Sequence, residues 1–78
     1  MNDNCHNLIV GPLREDVVRE MTLGMLSDAE GSSPREVLMA MSRAMGLIIG
    51  SSFSREMHDG IFAACLDQIA GWSKEVSK

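Results

Sequence analysis

Tyrosine is absent from these 78 residues, and the aromatic side chains are Phe53, Phe62 and Trp72 alone. Three scattered rings make no platform on which nucleic-acid bases could stack. Basic residues are scarce too: seven Lys and Arg stand against eleven Asp and Glu, for a net charge of −4. The imbalance lies in residues 1–36, where seven acids face three arginines, while residues 37–78 hold four of each sign. No basic stripe is present to neutralise phosphates, which argues against a nucleic-acid partner. A helix-turn-helix reading centred on Gly50-Ser-Ser-Phe-Ser54 fails for the same reason. Its second helix would offer Glu56, Asp59, Asp67 and Gln68 to the phosphates.

Cysteine is limited to Cys5 and Cys65, with no Cys-x-x-Cys pair and no secretory disulfide framework. With His6 and His58 they make two Cys and two His, but without zinc-finger spacing. His58 and Cys65 sit two helical turns apart, a rise of roughly 10.5 Å, too far to share one small ion. Gly46-Leu-Ile-Ile-Gly50 lacks the following Lys of a phosphate-binding loop. The carboxylates are scattered, so no acid/base pair stands out. The expectation is a protein that is not an enzyme and uses no cofactor or metal.

No hydrophobic run is long enough for a membrane. Val37–Ile49 is the longest apolar stretch, shorter than the roughly 17–25 residues of a spanning helix, and Arg43 interrupts it. The opening Met-Asn-Asp-Asn-Cys-His-Asn lacks the basic start and apolar core of a signal peptide. A cytoplasmic protein without membrane contact is the expectation.

What the chain does have is helical patterning. Residues 1–11 read as a polar tail ending in the short apolar segment Leu8-Ile-Val10, closed by Gly11-Pro12. Residues 12–78 read as a single small helical domain of three helices, about 12–27, 34–50 and 54–74. In the first, Pro12 suits the first turn, and Leu13, Val17, Val18, Met21 and Met25 share a face. Leu23 and Leu26 fall off that face and suit a second contact surface. Ser33-Pro-Arg-Glu36 matches the capping box that starts a helix. Gly50 reads as that helix's C-terminal cap.

Between Val37 and Ile49 only Ser42 and Arg43 are polar. A helix apolar around most of its circumference needs burial on most sides. Val37, Leu38, Met41, Met45, Ile48 and Ile49 form its broad apolar face. Ser42, Gly46 and Gly50 recur every four residues and would admit another helix backbone closely. In the last helix Ile61, Phe62, Cys65, Leu66, Ile69 and Trp72 define the expected core face, with His58 on the same side. Gly60, Ala64 and Gly71 lie opposite.

A chain this short gains only roughly 3–5 kcal/mol from a single core. The expected architecture is therefore an all-α bundle completed by homodimerisation. Its candidate contact surface is Met39, Ala40, Arg43, Gly46 and Leu47, with Leu23 and Leu26. Seven methionines favour adaptable protein-binding surfaces over a soft-metal site. The functional expectation is a regulator, inhibitor or adaptor that binds a protein partner. The alternative is a metal- or redox-responsive sensor built from Cys5, His6, His58 and Cys65.

Overall fold

The structure is a computed structural model that describes residues 2–76, and side chains from residue 6 onward. It is all-α, with no strand among the described residues. Four α-helices lie among the described residues: α1 (Asn2–Val10), α2 (Glu15–Asp28), α3 (Pro34–Ser52) and α4 (His58–Val76). A 3-10 turn over Arg55–Met57 leads into α4.

Three boundaries differ from the sequence reading, each for a local reason. The expected tail is helical over Asn2–Val10, so there are four helices and not three. The turn after it is closed by Gly11, whose N–H donates to the Asn7 carbonyl at 2.8 Å. A Cβ at Gly11 would overlap that same carbonyl oxygen. Pro12 stands before the next helix, which begins at Glu15 after the extended Arg14. Gly50 does not cap its helix. The α3 backbone continues through it to Ser52, and the Phe53 N–H still donates to the Ile49 carbonyl at 3.2 Å.

Other local signals hold. Ser33 Oγ accepts from the Glu36 N–H at 3.2 Å, and Glu36 Oε1 accepts from the Ser33 N–H at 3.4 Å. This satisfies amide donors that the first turn of α3 leaves without partners. Glu15 and Asp16 occupy the first turn of α2, beside the positive end of its dipole. Between α2 and α3, Gly31 adopts φ +89°, a left-handed conformation that suits the missing side chain.

The chain groups into two compact units, one comprising Met1–Gly11 with Ile49–Lys78 and the other Pro12–Ile48. The first contains the core. Ile49 and Ile61 are buried against each other, and Ile9, Phe53, Met57 and Cys65 pack around them. Within this unit α1 packs on α4. Gly60, Ile61 and Ala64 are the buried residues of α4. Gly60 and Ala64, read from the sequence as opposite the core face, are thus inward beside Ile61 of that face, while Gly71 is exposed.

The second unit is a helical hairpin in which no described residue is buried. Val17, Ala29, Val37, Met41 and Met45 are half-buried, and everything else is exposed. The α3 residues Val37, Met41 and Met45 follow an i, i+4 row that leads to Ile49. Leu38 and Ile48, on the same broad apolar face in the sequence reading, are exposed in the single chain. The expected core face of α2 is open too: Leu13, Val18, Met21 and Met25 are all exposed.

Candidate functional site

The features that could carry function are the open apolar faces. At about 100° per residue, Met39, Arg43, Gly46 and Leu47 fall on one side of α3, away from the Val37–Met41–Met45 row. Met39 is 54% exposed and Leu47 75% exposed, and Arg43 and Gly46 are also exposed. Ser42 borders this side, and its hydroxyl donates to the Leu38 carbonyl at 2.8 Å. With that polar atom satisfied internally, a neighbour meets a small and largely apolar surface there. A Cβ at Gly46 or Gly50 would meet nothing within 4 Å. The structure thus leaves open the small-residue row that the sequence singled out.

Ala40 is turned toward α2. With Val37, Met41 and Ala44 it lines a groove of about 540 Å³, closed on the other side by Met25 and Ala29. Asp28 and Glu36 stand at its rim with Ser32. The groove is apolar along its floor and acidic at the end near the α2–α3 turn. Leu23 and Leu26 lie on the outer side of α2, exposed and about 60° apart around the helix. They form a patch separate from the Met39 side of α3, so the candidate residues make two surfaces and not one.

A third surface escaped the sequence reading because it was assigned to the core. Phe62, Leu66, Ile69, Trp72 and Val76 are all exposed along one side of α4. Their spacing of three and four residues makes a continuous ridge about four turns long. No charged residue interrupts it between Phe62 and Val76, since Asp67, Lys74 and Glu75 fall on other sides of the helix.

His58 is half-buried at the start of this ridge, and its Nε2 lies 3.0 Å from the Phe53 carbonyl oxygen. A carbonyl only accepts, so Nε2 carries the proton. The ring thereby ties the first turn of α4 to the chain that leaves α3. Nearby, the Glu56 carboxyl is held below its usual value, first by its own backbone N–H and then by a hydrogen bond from Ser54, with His58 adding a smaller charge effect.

Cys65 is a free thiol, half-buried at the edge of the Ile49–Ile61 core. Burial pushes its pKa up, which keeps it protonated and weakens it as nucleophile or ligand. Among the described residues no group of three or more His, Cys, Asp and Glu converges as a metal site would require. The side chain of Cys5 lies outside the described residues. No described helix is long and apolar enough to cross a membrane. Comparison with known proteins finds no family model that matches the chain, no matching curated protein and no matching solved structure.

Proposed function

We propose that this chain is a non-catalytic protein–protein interaction module, a regulator, inhibitor or adaptor that works through open apolar helix faces and forms homodimers. One observation carries the reading: the 12–48 hairpin has no buried residue, while Leu23, Leu26, Leu38 and Met39 all stand more than half exposed. Isolated surface leucines are ordinary, but contiguous apolar faces on a small helical hairpin mark association surfaces. A hairpin this lightly packed gains its order from what it binds. The methionines suit a surface that must adapt, because the unbranched thioether reshapes at little cost. Met25 and Met41 in the α2–α3 groove supply that adaptability beside Ala40 and Ala44.

The acidic rim formed by Asp28 and Glu36 favours a partner segment that is apolar with a base at one end. A cytoplasmic setting fits this role. The sensor alternative has less behind it, since partial burial of the Cys65 thiol holds it protonated. The test is paired affinity capture with tagged wild type and Met39→Glu as baits. Retention of a defined partner by the wild type and its loss from the variant supports the reading. Identical captures from both baits refute it for the α3 face.

A further inference from the structure

We infer that the open α4 ridge is where two copies of this chain meet, as an antiparallel twofold pair of α4 helices. This deepens the interaction reading and rests on it for one premise, that the open apolar faces are contact surfaces. The unit containing α4 already packs through the adjoining side of the helix, where Gly60, Ile61 and Ala64 are buried and Cys65 is half-buried. The large side chains are left outward: Phe62 is 44% exposed, Leu66 62%, Ile69 51%, Trp72 69% and Val76 83%.

Area selects the occupant. With aromatic side chains offering roughly 150–250 Å² each and Leu, Ile and Val less, these five present at most on the order of 600 Å². A twofold pair covers that surface on both copies, up to about 1,200 Å² in all, which reaches the range of specific interfaces. The ridge is also self-complementary. In an antiparallel pair centred between Leu66 and Ile69, Leu66 of one copy meets Ile69 of the other. Phe62 then meets Trp72, an aromatic contact made twice by symmetry. From Phe62 to Trp72 the contact contains no charge, while Val76 of one copy comes level with the exposed Asp59 of the other; the antiparallel arrangement also sets each helix dipole against its opposite end.

Sedimentation of the full chain across the micromolar range tests this, with emission of Trp72, the sole tryptophan, followed in parallel. The expected result is a mass that rises from 8.5 kDa to twice that value, with Trp72 emission moving to the blue over the same concentrations. Leu66→Glu sets like charges across the axis and raises the dimerisation midpoint by about 100-fold. Glu30→Lys, at an exposed turn position outside every apolar face described, leaves the midpoint and the blue shift unchanged. Both side chains are exposed, so both variants keep wild-type helical circular dichroism. If Leu66→Glu loses helix, Leu66→Ala replaces it, with a midpoint raised by about tenfold.

A wild type that stays at 8.5 kDa overturns the inference and leaves the ridge to another protein. So does assembly beyond a dimer, which a closed twofold contact forbids. An unmoved midpoint in the Leu66 variants overturns it too, as does an equal shift in Glu30→Lys. Capture of a partner by the Met39 face is read separately, so either idea can fail without the other.

Discussion

Ser33 and Glu36 cap one another at the start of α3, each side chain accepting from the other's backbone N–H, at 3.2 and 3.4 Å. The pair is exposed, so its value lies in satisfying amides that would otherwise bond only to water. Ser33→Ala is expected to destabilise the fold by about 1 kcal/mol, as N-cap deletions do. Urea titration followed by circular dichroism at 222 nm checks it. Ser33→Asp, which keeps an acceptor, should recover most of the loss.

Ile61 is fully buried and Ile49 nearly so, at 0% and 4% exposure. Ile61→Ala removes the largest side chain that is wholly enclosed and is expected to cost about 2–5 kcal/mol. That rivals the total stability of a domain this size, roughly 3–5 kcal/mol. The chain should be mostly unfolded at 25 °C by circular dichroism. Leu66→Ala in the same helix, measured where the wild type is monomeric, should leave the melting curve almost unchanged.

Two glycines should respond in opposite directions to alanine. Gly31 has φ +89°, so Gly31→Ala is expected to destabilise by roughly 1–2 kcal/mol. Gly46 lies inside α3 with open space where a Cβ would stand. Gly46→Ala should stabilise by up to about 1 kcal/mol through helix propensity alone. If the outer side of α3 docks a partner helix closely, the same substitution should weaken that binding. Thermal melts and partner titration of the two variants separate fold from function.

The Cys65 thiol, pushed up by burial, should react with iodoacetamide at pH 8 more slowly than a cysteine in an unstructured peptide. Denaturant should abolish the difference. Its linkage to stability follows from the same shift. The folded state holds the thiol proton more tightly, so this contribution is present below the ordinary value of 9.0. It is lost as pH rises through the folded value. Alkylation rates read by mass spectrometry, with Cys5→Ser to isolate the site, decide the matter.

Glu56 runs the other way. Its carboxyl is held below 4.5 chiefly by its own backbone N–H, so its contribution is present above that value. It falls away as pH drops through the folded value. The group is on the surface, and the effect should be small and sensitive to salt. Melting temperatures from pH 6 to 3 should decline slightly more for wild type than for Glu56→Gln.

Local rules were legible in the sequence and long-range ones were not. The Ser33–Glu36 box could be read at once because all its atoms lie within one helical turn. The course of α3 followed from its apolar content, although Gly50 did not stop it. α1 gave no such signal: Asn2 to Asn7 are almost all polar, and its order comes from packing on α4. The face of α4 was misread for a deeper reason. Hydrophobic periodicity reports which side of a helix avoids water, not whether its own chain or another molecule covers that side. Close approach in the unit that contains α4 uses Gly60 and Ala64, and Phe62, Leu66 and Trp72 are left open. The sequence reading placed Met39, Gly46 and Leu47 on a contact surface for a second molecule, and in the single chain they are exposed.

The enclosed residues all belong to the unit built around Ile49 and Ile61, and the 12–48 hairpin holds none. Amide protons should report this division over time. Those around Ile49, Ile61 and Ala64 should outlast the rest in heavy water, and those of α2 should exchange soonest. A protease should find its first foothold at the turn around Gly31. The lifetime of an unoccupied copy is then set by how often that turn opens, and a ligand on the hairpin would lengthen it without touching the core.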